Sequence, residues 1–421
     1  MKETMDNTVH DAQRLKELQA LPLERKIQIT QNRIQEWYMH YDGGVYVSFS
    51  GGKDSTVLAH LTRQLFPDVP LVFSNTGLEF TSVQKMARDS GAIQVYPEMP
   101  FSEVISTYGF PLVSKDVAEA IYYARRITGG TETKTKRAQL LGRETRWCPE
   151  KNKPWLVDSK NVYQGSFRTK LLGTDPMYAS KNGDVFSDDE KTNSLFNKEK
   201  WLPMCQELPI MISHYCCNEM KKKPMKKYEK KTGLHPIVAT MAEESRMRRT
   251  VWLAHGCNAF DGKRPISKPM SFWTEQDVLT FIKESNIKIA DAYGDIVKVN
   301  KKSGCELQCT GCERTGCVYC GFGAHNKNDN RFLTLAELDP KKYEYSMNGG
   351  QWVDNPKYDA TAPEYDGVWK NWNPKKIWVP SKEGLGLRKV FDMFNELYQD
   401  CKIKYEPDND FERQMTIYDY V

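Results

Sequence analysis

No stretch of the chain is apolar for the length that a bilayer-spanning helix needs, which excludes a helical membrane protein. Residues 1–20, MKETMDNTVHDAQRLKELQA, lack the apolar core of a signal peptide, so a cytoplasmic protein is expected. Charge of one sign is scarce: 60 Lys and Arg face 55 Asp and Glu, a net +5. That mild excess suits an anionic substrate but does not by itself call for nucleic acid. No internal repeat is present, which excludes a solenoid. The pattern GxxxxGK[ST] is missing too, so there is no Walker A loop.

What is present is a 421-residue chain, 39% hydrophobic, long enough for one large domain with additions or for two. It carries eleven cysteines, five of them between Cys305 and Cys320. In a cytosolic protein of this size such clustering indicates metal or redox chemistry rather than a disulfide framework.

Hydrophobic periodicity sets the organisation. Residues 11–41 read as an amphipathic helix ended by Gly43-Gly44. Val45 to Ser50 reads as a strand, Thr56 to Phe66 as a helix, Pro70 to Asn75 as a strand, FTSVQKMARDSG as a helix and IQVYP as a strand. This alternation predicts an α/β fold with a parallel twisted sheet and helices on both faces. Residues 128–205 are rich in Lys, Arg, Thr, Asn and Asp and read as an insertion. His235 to Thr240 restores a strand, EESRMRRTVWLAHG a helix, and SFWTEQDVLTFIKESNI a further helix with Ser271 or Thr274 as N-cap. The expected division is a helical segment over 1–42, a nucleotide-binding domain over 43–300, and a cysteine-rich, aromatic-rich region over 301–421.

Ser50-Gly51-Gly52-Lys53-Asp54-Ser55 lies between a strand and a helix. Two glycines let the backbone approach an anion. The helix that starts there aims free N–H groups and its positive dipole end at the same point. Ser50 and Ser55 add hydroxyls and Lys53 a point charge.

SGGKDS resembles the PP-loop of the N-type ATP pyrophosphatases and of the phosphoadenylylsulfate (PAPS) reductase family. Three more segments resemble that family in order: Phe73-Ser-Asn75-Thr76-Gly77-Leu-Glu-Phe80, with Asn75 where Asp is usual; Met241-Ala-Glu-Glu-Ser245-Arg246-Met-Arg-Arg249, like its ES-x-x-R stretch; and Pro269-Met-Ser-Phe-Trp273-Thr-Glu-Gln-Asp277-Val278, like its P-x-x-x-W-x-x-x-D-V segment. The resemblance covers roughly residues 40–300. It implies an adenine nucleotide alpha-hydrolase-like fold in which Ser50, Gly51, Gly52, Lys53, Asp54 and Ser55 hold phosphate and Thr76 and Gly77 lie beside the nucleotide. By the same resemblance Ser245, Arg246 and Arg249 meet the anionic part of the substrate, since arginine pairs phosphate or sulfate in a bidentate way. The catalytic candidates are Lys53, Asp54, Arg246 and Arg249.

The segment Cys305-x6-Cys312-x4-Cys317-x2-Cys320, with Cys309 inside it, offers thiolates suited to zinc or to an iron–sulfur cluster. Its glycines at 311, 316, 321 and 323 permit tight turns around a metal centre. Several PP-loop relatives carry a cluster, so the resemblance favours [4Fe–4S] over zinc. Cys312, Cys317 and Cys320 form the compact core. Cys305 is the fourth ligand by resemblance to the DNA phosphorothioation member of the family, and Cys309 competes for that place. Cys216-Cys217 resembles the paired cysteines of the cluster-bearing adenylylsulfate reductases and offers a further ligand or redox thiol. Cys148, beside Arg146, is a candidate reactive thiol; Cys205, Cys257 and Cys401 read as structural.

Three functions are expected in order. The first is a PP-loop enzyme that binds ATP with Mg2+, adenylates an acceptor with release of pyrophosphate, and assists sulfur transfer. The second is a reductase of PAPS or adenylylsulfate (APS). The attack thiol of those enzymes lies in a C-terminal Glu-Cys-Gly motif, whereas the last cysteine here is Cys401 in Asp-Cys-Lys. The third is a non-catalytic module binding a nucleotide or nucleic acid, motivated by the seven lysines of 221–231 and by Trp352, Trp369, Trp372 and Trp378. The partners expected are an adenine nucleotide and an acceptor, nucleic acid among the options, with no membrane; assembly into a homo-oligomer is compatible with the sequence.

Overall fold

A computed structural model describes residues 10–126, 131–141, 145–148, 153–156, 198–261, 264–301, 304–366 and 369–407. The chain forms two compact units that interleave along the sequence. One holds the residues up to Phe101, Cys217–Val318 and Thr334–Pro340; the other holds Ser102–Cys216, Tyr319–Leu333 and Lys341–Val421. This cuts the chain differently from the three expected segments: most of the cysteine segment, through Cys317, belongs to the first unit.

The first unit opens with α1 (Ala12–Gln19) and α2 (Leu23–His40). The single helix expected over 11–41 is therefore two helices. Pro22 separates them, because a proline has no N–H to continue the ladder and pushes the residue before it out of helical geometry. Then follow β1 (Val45–Phe49), α3 (Lys53–Leu65), β2 (Leu71–Ser74), α4 (Thr81–Asp89) and β3 (Ile93–Val95). The chain returns to this unit with α5 (Lys223–Thr232), β4 (His235–Ile237), α6 (Arg246–His255), β5 (Asn258–Ala259), β6 (Ile266–Ser267) and α7 (Glu275–Glu284). An antiparallel pair, β7 (Ile296–Lys301) with β8 (Gly304–Cys309), leads into the cysteine segment.

The six-stranded sheet has the order β3-β2-β1-β4-β6-β5 and is parallel except for β5. Val45, Val47 and Phe49 are buried on one face with Ile34 and Trp37 of α2 and Val57, Leu58 and Leu61 of α3. Tyr46 and Val72 face the other way, onto Met225 of α5. Helices thus cover both faces, as the near-continuous apolar run of β1 requires. Tyr46 donates through its hydroxyl to Glu229 at 2.7 Å, and Glu229 in turn accepts from Arg264, so the polar tip of a buried ring is satisfied. Of the two expected caps for α7, Thr274 is the one used: its hydroxyl accepts from the Asp277 N–H, and Asp277 reaches back to the Thr274 N–H at 2.7 Å.

Strands leave β1 in opposite directions, β2 on one side and β4 on the other, so the turn after β1 sits at the switch point of the sheet.

The second unit contains helices Lys115–Ala124 and Leu387–Leu397, the strand pair Gln351–Asp354 with Lys376–Val379, and a fan made by Arg125, the C-cap of the first of these helices. Its guanidinium donates to the carbonyls of Met204, Cys205, Leu208 and Ile210 and lies 4.1 Å over the Trp372 ring. Of the four tail tryptophans, Trp369 is buried, Trp372 donates to the Leu208 carbonyl, and Trp378 donates to that of Gly386 with Trp352 edge-on to it. Packing therefore uses three of them, and Trp352 is 44% exposed. The expected insertion contributes a helix, Thr131–Leu140, and the antiparallel pair Thr145–Cys148 with Lys153–Leu156. Residues 128–130, 142–144, 149–152 and 157–197 of it lie outside the described residues, as does the side chain of Cys148.

Leu58 is fully buried between α3 and the sheet. Leu58→Ala is expected to lower the unfolding free energy by about 3 kcal/mol, read as an earlier urea midpoint by tryptophan fluorescence. A loss under about 1 kcal/mol would show that α3 does not carry the core as described.

Candidate functional site

The turn 50–52 is shaped by sterics. Gly51 has φ +68°, and a Cβ there would stand 2.8 Å from both Cγ1 and the carbonyl oxygen of Val83. Only glycine fits. Gly52 is the N-cap of α3 and gives no side-chain cap, so the first N–H groups of the helix need acceptors from elsewhere.

The two serines lock the loop onto itself. The Ser50 N–H donates to Ser55 Oγ at 3.1 Å, the two hydroxyl oxygens are 3.0 Å apart, and Ser55 Oγ donates to the Gly52 carbonyl at 2.9 Å. Their place is inside the turn, where they fix its curvature.

Lys53 carries the charge of the site. Its side chain is 3% exposed, and its Nζ stands 3.1 Å from Glu275 Oε1 and 3.8 Å from Asp54 Oδ1 and donates to the Glu313 carbonyl at 2.9 Å. Burial works against its charge, but Asp54, Tyr293 and Glu275 outweigh it and hold its pKa above the usual lysine value. Asp54 is raised, chiefly by burial, with Glu275 adding to the shift and Lys53, Arg314 and Arg248 opposing it. Asp54 Oδ1 is buried and makes no hydrogen bond. Around these lies a second ring of charge: Glu244 pairs with Arg248 and stands 3.5 Å from Arg314.

Thr76 and Gly77 follow β2. The buried Thr76 hydroxyl donates to Glu79 at 2.8 Å and accepts from the Leu78 N–H, while the Gly77 N–H donates to Asn75 Oδ1 at 3.2 Å. Asn75, standing where Asp is usual, spends its amide on Gln94 at 3.1 Å. Gly77 has φ +76° with open space above it.

Ser245 caps α6, its hydroxyl accepting from the Arg248 N–H at 3.2 Å. Arg246 begins the helix, and its side chain lies outside the described residues. Ser245 and Arg249 line a cleft of about 400 Å3 with Lys16, Gln19, Glu243 and Thr274. Thr274, on the wall of this cleft, directly precedes Glu275, the partner of Lys53. Burial raises the pKa of Glu243; a hydrogen bond from the Glu275 backbone opposes the shift, and the carboxylates of Glu275 and Asp277 add to it.

The cysteines fall into pairs. Cys305 and Cys309 lie on β8, Cys305 exposed and Cys309 buried. The Cys312 thiol is pushed up to about 11 by burial, then by neighbouring Cys309 and Glu337. Cys317 is raised by burial and opposed by Lys221, with Glu79 and Cys217 beside it. Burial works against the charge of Lys221, yet Cys317 and Glu79 hold it above the usual lysine range. Cys320 belongs to the second unit, where its carbonyl accepts from Arg331 at 2.9 Å. Cys216 and Cys217 fall on opposite sides of the division between the units. Among the described residues no three Cys, His, Asp or Glu side chains stand together as a metal site. The thiolates have the right chemistry for a cluster; their placement gathers two pairs.

Sequence reasoning missed Glu275, Arg248, Tyr293, Glu313, Arg314 and Thr315. Glu275 and Arg248 sit within motifs already singled out and were overlooked inside them. Tyr293 carries no sequence signal: its hydroxyl accepts from the Lys53 N–H across 240 residues of chain, at 3.1 Å.

Residues 44–91, from β1 through the glycine turn, α3 and β2 to the end of α4, match the family model described as the phosphoadenosine phosphosulfate reductase domain. No curated protein matches the chain. The matched segment contains the SGGKDS turn at which the parallel sheet switches direction, so this part of the chain is similar to the phosphoadenosine phosphosulfate reductase domain.

Proposed function

We propose that the protein is a PP-loop enzyme that binds ATP at the turn 50–55 and adenylates an acceptor for sulfur transfer. The observation that carries this reading is a buried lysine at the first position of α3, beside a buried carboxylate oxygen that no donor satisfies. A buried oxygen that accepts no hydrogen bond is costly unless a ligand completes it.

Asp54 and Glu275 are hard oxygen donors on either side of Lys53 and fit Mg2+, which would neutralise charge on the phosphates. Lys53 and the N-terminal amides of α3 would hold the β- and γ-phosphates, and Arg248 and Arg314 stand at the rim to meet further negative charge. In the step proposed, an acceptor oxygen attacks the α-phosphorus, the bond to the bridging oxygen breaks, and pyrophosphate leaves with that electron pair. The cleft lined by Ser245 and Arg249 is proposed for the acceptor, because Thr274 on its wall directly precedes Glu275. The thiols of the 305–320 segment are proposed as ligands of an iron–sulfur cluster on the strength of their spacing and the family, and no step is routed through it.

The description of the matched domain favours a second reading, reduction of a sulfonucleotide with release of sulfite. The two separate by product: pyrophosphate from ATP with an acceptor, or sulfite from an adenylylsulfate with a dithiol donor.

Lys53→Ala is expected to weaken binding of Mg–ATP at least tenfold in calorimetric titration, because it removes a charge-assisted contact worth roughly 1.5–3 kcal/mol. Undiminished affinity would overturn the phosphate-loop reading. Anaerobically purified protein is expected to contain iron and sulfide, and to lose both when Cys312, Cys317 or Cys320 is replaced by Ser. Zinc without iron, or iron retained in all three variants, would remove the cluster from the proposal.

A further inference from the structure

The donors that a phosphate would use are already engaged by the chain itself. The Lys53 N–H donates to the Tyr293 hydroxyl at 3.1 Å, and Lys53 Nζ donates to the Glu313 carbonyl at 2.9 Å. The Tyr293 hydroxyl is 2.9 Å from Thr315 Oγ1, and a Cβ on Gly52 would come within 3.1 Å of that same hydroxyl. A tyrosine oxygen and a carbonyl oxygen thus sit over the N-terminus of α3.

These groups belong to one assembled piece. The Gly311 N–H donates to the Tyr293 carbonyl at 2.9 Å, the Cys312 N–H to the Ala292 carbonyl at 2.8 Å, and the Thr310 N–H to the Asp295 carbonyl at 2.9 Å. A Cβ on Gly311 would come within 2.5 Å of the Ala292 carbonyl oxygen, so the two segments fit only with glycine there. The piece is fastened at its far ends. The Ala292 N–H donates to Ser82 Oγ at 3.2 Å, and the Val318 N–H to the Leu78 carbonyl at 2.7 Å. Between the anchors at Cys312 and Val318 runs the short span 313–317, in which a Cβ on Gly316 would meet nothing within 4 Å.

We propose that Tyr293 and the span Glu313–Thr315 form a cap on the phosphate loop, which an incoming nucleotide must displace. The inference rests on the phosphate-loop reading. Neutral oxygens make weaker partners for an ammonium and a helix N-terminus than phosphate does, so the exchange runs toward the nucleotide. The cap keeps Lys53 and the first turn of α3 satisfied until then, and its removal lowers the apparent affinity by the free energy of its own contacts.

The test is calorimetric titration of the full chain and of the variants Tyr293→Phe and Thr315→Ala. The probes are Mg–ATP, adenosine 5′-phosphosulfate and inorganic pyrophosphate. Tyr293→Phe loses the hydroxyl that occupies the Lys53 N–H and Thr315→Ala the hydroxyl that holds it there, and each variant is expected to bind at least one probe about three- to tenfold more tightly. Pyrophosphate should gain by the same factor wherever it binds, because the competition is at the loop and not at the base. Thr315→Ala keeps the tyrosine ring in place and so serves if Tyr293→Phe fails to fold. Unchanged or weaker binding in both variants, with the wild type binding, would overturn the cap and leave the nucleotide reading intact. Binding of none of the probes by any of the three proteins would overturn both.

Discussion

A lysine ammonium with almost no access to water sits where the first strand hands over to the first helix of the sheet. Taking such a charge out of water costs several kcal/mol in practice, so its surroundings must compensate it. Here that is done by Asp54 and Glu275, by the Glu313 carbonyl, and by the face of Tyr293 at 5.5 Å. Four parts of the chain are thereby drawn to one point: the glycine turn, the start of α7, Tyr293 ahead of β7 and the loop after β8. The glycines matter because Gly51 and Gly52 have neighbours where a side chain would otherwise stand, Val83 on one side and Tyr293 on the other.

The local parts of this arrangement were legible in the sequence. A β-rich run, two glycines, a lysine and a helical period specify strand, turn and helix with short-range physics alone, and that part matches a known family over residues 44–91. The parallel sheet was equally legible, since its central strand has no polar face to show to water. The partners of Lys53 were not. Tyr293 and Glu313 become neighbours only when β7 and β8 fold back, and no periodicity encodes a contact across 240 or 260 residues. The first helix was misjudged for a different reason. Its apolar spacing continues through Pro22, and a pattern of side chains says nothing about a missing backbone donor. The interleaving of two compact units was hidden as well, because each boundary falls inside a run of ordinary globular composition.

The lysine run shows how a charged stretch divides once it folds. Read as a string, 221–231 is a solvated face or an electrostatic guide. Folded, it begins in a π-helical turn, Asn218–Lys222, that aims Lys221 at Glu79 and Cys317, while Lys223 pairs with Glu219 and Lys227 with Glu98 at 2.6 Å. Met225 turns inward onto Tyr46. Three of the seven positive charges are thus met by carboxylates of the same unit, which weakens the field available to steer a polyanion from this helix.

Lys221 also links the two halves of the site. Glu79 accepts from the Thr76 N–H and hydroxyl at the end of β2, and the same carboxylate lies 3.6 Å from Lys221. Cys317 and Cys217 also act on that ammonium. A thiol next to a fixed cation is easier to deprotonate, and burial pulls the other way; at Cys317 burial is the larger of the two. Burial thus raises the Cys317 thiol while the Lys221 ammonium opposes the shift. Since Glu79 also holds Thr76, the surroundings of that thiol are tied through one carboxylate to the end of β2.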